Sequence, residues 1–205
     1  LAPGRRVQPA LWCFAFLALL VFVGLRHHVG MDWNNYQYMI HKITAFDFLD
    51  AIRIIEPLYG ALLWTSGQMG TSVYGANLFG ALICFFGLFR YARYTPSPWA
   101  ALTIAMPMLI IVIFMSANRQ AAAIGILLWL VAGWETKSRP TQLAGILIAA
   151  LFHTSALFFL IFVVLDAKLV LLPKIIAAAS FVLLALLVPQ MQETFAYYNS
   201  TYIRE

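Results

Sequence analysis

The sequence predicts an all-α fold: a polytopic transmembrane helical bundle with an amphipathic interfacial helix and a short segment suited to be re-entrant. Three observations carry that expectation. The 205 residues are 63% hydrophobic and only 10% charged, where soluble domains carry about 25% charged residues. The apolar residues fall in runs that approach the roughly 20 residues needed to span a bilayer. Aromatic residues make up 15% of the chain, which suits many membrane-interface positions. The composition favours a single transmembrane domain over residues 1–205. The net charge is +5, but the basic residues sit in short connections between apolar runs. That pattern describes topology, and no basic stripe suggests a nucleic-acid partner.

The elements follow in order. Residues 10–25 form the first apolar run, stopped by Arg26, His27 and His28. Arg5 and Arg6 precede it, as in a signal peptide. No small-x-small site follows Phe22, so an uncleaved first helix is expected. The chain starts at Leu1 rather than Met, which suggests a start downstream of the natural one. Residues 26–56 are the one long polar stretch. Within it Trp33, Tyr36, Ile40 and Ile43 recur at helical spacing and define one apolar face. Asp32 stands before that pattern and suits an N-cap. The expectation is an amphipathic helix at the membrane surface, followed by a short helix around residues 46–55.

Glu56-Pro57 opens the next helix, with Pro57 at a position where its missing N–H costs nothing. The run 58–69 is short and ends near Gly67 and Gly70, as a half-spanning or re-entrant segment would. Clearer spans are expected at residues 73–89, 99–115, 118–134 and 141–165. The last is long enough to be two half-helices meeting near His153. A final span is expected at 173–188, before a tail with Tyr197, Tyr198 and Tyr202. If residues 57–72 do not cross, Arg90, Arg93, Lys137 and Arg139 fall on the cytoplasmic side with the N-terminus. Arg26, Asp32, Glu56 and Arg119 then share the extracytoplasmic face, together with the amphipathic segment 26–56.

Five or six polar residues carry the chemistry. Arg119 sits between two apolar spans, flanked by Asn118 and Gln120 as further donors. A charge so close to hydrocarbon faces a polar cavity or snorkels to the headgroups. A guanidinium fork there suits phosphate or pyrophosphate. Asp32 reads as a helix cap and also as a general base or an orienting group for a sugar hydroxyl. Asn35 and Tyr36 share its helical face. Glu56 reads as compensation of a helix dipole, or as a second carboxylate in the same cavity. His153, beside Thr154 and Ser155, reads as an interhelical hydrogen bonder or as a functional intramembrane group. Arg26 reads as a stop-transfer anchor, yet on the extracytoplasmic side it runs against the usual charge bias. Asn77, Gly80, Cys84 and Gly87 form a small or polar stripe expected to serve helix packing. His27-His28 lacks metal-ligand spacing, and no phosphate-cradling Gly-rich loop, nucleophile elbow or zinc motif is present. Cys13 and Cys84 lie inside apolar runs and show no disulfide pattern.

In order, Arg26, Gly30-Met31-Asp32-Trp33-Asn34-Asn35-Tyr36, Glu56-Pro57-Leu58-Tyr59, Asn118-Arg119-Gln120-Ala121-Ala122-Ala123 and Phe152-His153-Thr154-Ser155-Ala156-Leu157 resemble the EpsG family of exopolysaccharide proteins. The resemblance covers roughly residues 26–165, and it is the ordered set that is specific. It implies a Wzy-like polymerase of the bacterial cytoplasmic membrane. Such an enzyme joins oligosaccharide repeat units carried on undecaprenyl pyrophosphate, on the extracytoplasmic side, among other polysaccharide-export proteins. No nucleotide sugar and no obligatory metal or other cofactor is implied. Carried onto this sequence, Arg119 and Arg26 would hold the pyrophosphate, with Tyr36, Asn118 and Gln120 also contacting substrate. Asp32, Glu56 or His153 would supply the base. Relative to the family pattern the chain stops early, at Glu205, as a fragment, a short variant or a degenerate copy without activity would.

Two other readings stand beside this one. A transporter or flippase for the lipid-linked glycan would need access from both faces and typically inverted repeats, and no repeat is visible. A non-catalytic scaffold of an envelope assembly would suit the short chain.

Overall fold

Pro9, which has no N–H to leave unsatisfied, opens helix α1 (Pro9–Gly24). The computed structural model describes residues 7–166. Arg5, Arg6, the span expected at 173–188 and the Tyr-rich tail lie outside the described residues. The described residues are helix and connecting loop, without strands, as the sequence predicts. Two compact units are present, Leu1–Leu157 and Phe158–Glu205. All the candidate site residues belong to the first.

Helix α1 is apolar on every side but buries only Trp12, Val23 and Gly24. Phe14, Val21 and Phe22 are exposed. Such a surface is unfavourable in water and suits hydrocarbon. After the loop that carries Arg26 come α2 (Trp33–Thr44), α3 (Phe48–Ile54) and α4 (Pro57–Gln68). The buried residues of α2 are Trp33, Tyr36, Ile40 and Ile43, the face marked by the sequence periodicity. Asp32 is the N-cap residue, but its side chain makes no capping hydrogen bond; the capping role expected for it is not realised. Helix α4 lies close on its neighbours: Gly60 is against the Ala51 carbonyl and Gly67 against Thr44. Its 12 residues reach about 18 Å, well short of a hydrocarbon core of about 30 Å.

Helix α5 (Ser72–Arg93) has 22 residues and is the one described helix long and apolar enough to cross a membrane. The other expected spans are shorter or interrupted. Helix α6 (Pro98–Ala105) continues as a π-helical stretch, Met106–Phe114. Pro107 accounts for the change, because it lacks an N–H and crowds the carbonyl of Thr103, widening the helical ladder. Helix α7 (Asn118–Val131) ends three residues before the expected boundary and spans 14 residues, or about 21 Å. The expected run 141–165 breaks where the sequence allowed for it. Helix α8 (Arg139–Ala150) stops short of His153, and a 3-10 segment Thr154–Phe159 follows. Helix α9 (Leu160–Leu165) lies in the second unit.

Helices α1 and α5 run antiparallel. Trp12 meets Phe89 with ring centroids 4.7 Å apart, and Gly24 abuts Leu78 at the other end. Helices α5 and α7 run parallel. Asn77 bonds Asn118 near their starts, and Gly87 faces Gly125 further on, so closely that a Cβ on either would strike the other helix's backbone. This is the small-residue packing expected of the stripe. The arrangement sorts charges to two ends. Arg90 and Lys137 flank the Trp129 ring at 4.9 and 5.2 Å at one end. Arg26, Glu56, Arg119 and His153 gather at the other.

Candidate functional site

The polar end is assembled by a backbone contact that tolerates no side chain. Gly30 adopts φ +103°, and a Cβ there would collide with the Met115 carbonyl. Only glycine reaches such a φ readily. The adjacent Met31 N–H donates to Ser116 Oγ at 2.8 Å. The loop after α1 is therefore seated on the turn between α6 and α7, where Asn118 and Arg119 begin α7.

From there two polar groups are built. In the first, Arg119 Nη1 donates to Glu56 Oε2 at 3.0 Å, and His153 Nδ1 lies 3.0 Å from Glu56 Oε1. The partners come from α7, the N-cap of α4 and the break after α8, up to 97 residues apart in sequence. The Arg119 charge also acts on the Tyr36 hydroxyl of α2. Burial alone would raise the Glu56 carboxyl. The hydrogen bonds from His153 and the backbone, and the Arg119 guanidinium, outweigh it and hold the carboxyl at about 2. Glu56 is thus ionised at neutral pH and can only accept. Its bond with His153 must then be donated by Nδ1–H, so that Nε2 is the ring nitrogen turned away from the carboxylate.

In the second group Arg26, only 5% exposed, is fixed by three oxygens. Nη1 donates to the Val23 carbonyl at 2.9 Å, and Nη2 donates to Asn118 Oδ1 at 2.8 Å and to Asn77 Oδ1 at 3.4 Å. Asn118 Nδ2 donates in turn to Asn77 Oδ1. All of these partners are neutral, so Arg26 is a buried cation held without a carboxylate. Such a charge is expensive unless something anionic compensates it. The two groups join through consecutive residues on α7 and through Tyr36 and Tyr59, whose rings are 5.7 Å apart. Several donors here are buried with no hydrogen-bond partner: Arg26 Nε, Arg119 Nε, Asn77 Nδ2, Trp33 Nε1 and the Tyr59 hydroxyl. An end of the bundle with surplus donors and one uncompensated cation is suited to oxygens of an anion.

Of the residues marked from sequence, Arg26, Tyr36, Glu56, Asn118, Arg119 and His153 converge. Asp32 is half-buried beside them. Burial pushes the Tyr36 hydroxyl above its ordinary value; Arg119 opposes this and the Asp32 charge reinforces it. Gln120 is exposed and takes no hydrogen bond within the cluster. Sequence reasoning missed Asn77 and Tyr59. Asn77 was legible only as a polar residue in an apolar helix, and Tyr59 only as the neighbour of Glu56-Pro57. Among the described residues no group of three or more His, Cys, Asp or Glu is placed to hold a metal ion.

The described residues form an all-helical fold with an ion-paired, histidine-bearing polar cluster at one end. The chain belongs to the EpsG family, whose model matches residues 10–205, as the resemblance in its motifs implies. That membership makes it a membrane protein connected with exopolysaccharides. No curated protein and no solved structure matches the chain.

Proposed function

We propose that this protein is a polysaccharide polymerase. It transfers a growing glycan from undecaprenyl pyrophosphate to a hydroxyl of the next lipid-linked repeat unit, on the outer side of the bacterial cytoplasmic membrane. The proposal includes a multi-pass single membrane domain, with the segment 26–56 on the extracytoplasmic side. One observation carries this reading: an imidazole oriented by an ionised carboxylate shares that carboxylate with Arg119, and a second buried cation, Arg26, bonds the residue next to Arg119 in the chain. Family membership supports it, and so does the separation of this cluster from the basic end at Arg90 and Lys137, which matches the positive-inside pattern.

The step follows from these positions. The acceptor hydroxyl gives its proton to His153 Nε2 as its oxygen attacks the anomeric carbon of the donor chain. The bond from that carbon to the pyrophosphate oxygen breaks, and its electron pair leaves on the pyrophosphate. The added negative charge falls where Arg26 and Arg119 supply cationic donors. Glu56 stays ionised throughout, fixing the imidazole tautomer and the Arg119 fork. Of the three base candidates His153 is therefore favoured, Glu56 acts as a positioning residue, and Asp32, whose charge acts on Tyr36, remains a candidate to orient a sugar hydroxyl. Tyr36, Asn118 and Gln120 remain proposed substrate contacts, Gln120 from the exposed side.

The test is polymer production in cells carrying Arg119→Ala, with the amount of membrane-inserted protein measured alongside. Loss of polymer at unchanged protein level is expected. Unchanged chain length and yield would count strongly against a transferase. Glycan flux in vesicles without any change in glycan length would favour the flippase reading.

A further inference from the structure

At the end of the bundle opposite the candidate site, α1 and α5 leave a groove of about 720 Å³, within the range of small-ligand sites. Its walls include the aromatic rings of Trp12, Phe16, Phe86 and Phe89, and Arg90 and Arg93 stand at its edge, with no acidic residue in its lining among the described residues. The Arg90 guanidinium is held over the Trp129 ring at 4.9 Å and near Tyr94 at 5.4 Å. Its Nε is buried without a hydrogen-bond partner, so that this cation is positioned yet incompletely satisfied. Arg93 is exposed.

We propose that this groove binds an anionic glycerophospholipid of the cytoplasmic leaflet, with its phosphate between Arg90 and Arg93 and an acyl chain along the Trp12–Phe16 face of α1. Charge and shape select this occupant. An apolar trough continuous with exposed apolar helix surface suits a hydrocarbon chain, and two guanidiniums without acids suit one phosphate diester. Basic sites between helices on the cytoplasmic side are where anionic headgroups are recognised. Glycan donor and acceptor would engage the other end, so the proposal rests on membrane insertion with the Arg90 end cytoplasmic, as proposed above, and not on the transfer reaction.

The experiment is native mass spectrometry of the full chain in neutral detergent, titrated in parallel with dioleoyl phosphatidylglycerol and dioleoyl phosphatidylcholine. Phosphatidylglycerol is expected to bind more tightly. The double variant Arg90→Gln/Arg93→Gln should weaken it by roughly 30-fold, at about 1 kcal/mol per arginine. Arg90→Lys/Arg93→Lys should recover most of that loss, and Arg53→Gln, on the exposed face of α3, should change nothing. Equal affinity of the unmodified chain for the two lipids overturns the proposal even if the double variant does not fold. An equal loss in Arg53→Gln overturns it as well. So does displacement of the lipid by millimolar inorganic phosphate, or a lipid-free dimer, which would assign the groove to a free anion or to a second copy.

Discussion

Replacing Glu56 with Gln tests the electrostatics of the cluster quantitatively. The carboxyl sits at about 2 against an ordinary value of 4.5. At about 1.4 kcal/mol for each tenfold change in proton affinity, that gap corresponds to on the order of 3 kcal/mol of folding stability. The sign follows from the direction. The folded-state value is depressed, so the contribution is fully present above about 4.5 and is lost as pH falls through about 2. Gln keeps a hydrogen-bonding shape but removes the charge from both Arg119 and His153. Breaking a fully buried ion pair costs about 3–5 kcal/mol. The Arg119 side chain is 34% exposed and can recruit water, so Glu56→Gln should cost about 2–3 kcal/mol at pH 7. The assay is reversible unfolding in mixed micelles at pH values from 7 down to 3, for both proteins. The unmodified chain should lose stability progressively below about pH 4.5, and the variant should lose much less over the same range. A variant with the full pH dependence of the unmodified chain, or within about 0.5 kcal/mol of it at pH 7, would refute the pairing.

The remaining expectations concern separate contacts. Asn77→Leu removes the oxygen shared by Arg26 and Asn118 and should destabilise the fold by about 1–3 kcal/mol, read as a lower midpoint in the same micelle assay. Gly87→Val should disrupt the contact of α5 with Gly125 and lower the yield of folded protein in detergent, while Gly70→Ala, where a Cβ meets nothing within 4 Å, should cost only its backbone strain. Gly30→Ala should reduce polymer yield through displacement of the loop that carries Arg26, because its φ is +103° and the Met115 carbonyl fills the space a Cβ needs.

Periodicity and motif order carried a large part of this picture. The face of α2 was legible because four large apolar residues at helical spacing have one solution when only one side is covered. The break near His153 was legible because a polar Phe-His-Thr-Ser notch interrupts an otherwise greasy run. Helix lengths were not. Hydropathy marks where apolar residues lie, but Pro107 turned part of one span into a wider helix, and the turn at residues 132–138 shortened another. Within the site, the residues that announce themselves are those whose charge is costly in an apolar chain: Arg26, Glu56, Arg119 and His153. Asn77 hid, since a single amide among glycines reads as helix packing until a buried guanidinium is found against it. Tyr59 hid likewise, for a tyrosine in an apolar helix is ordinary until its hydroxyl proves to be buried. Pairing is the part no single sequence encodes openly. That Glu56 would face both Arg119 and His153, rather than Asp32 facing either, follows from how α4 and the break after α8 meet, fixed by the bond from the Leu58 N–H to the Leu151 carbonyl at 3.0 Å.

The most direct measurement is glycan transfer by the purified chain in nanodiscs supplied with one lipid-linked repeat unit. Product length and released lipid pyrophosphate would be followed together, for the unmodified protein and for His153→Gln. Longer glycans appearing in step with lipid pyrophosphate, and a loss of roughly 100-fold or more in the variant, are expected. Equal rates in the two proteins would contradict the assignment of proton transfer to the imidazole that Glu56 orients.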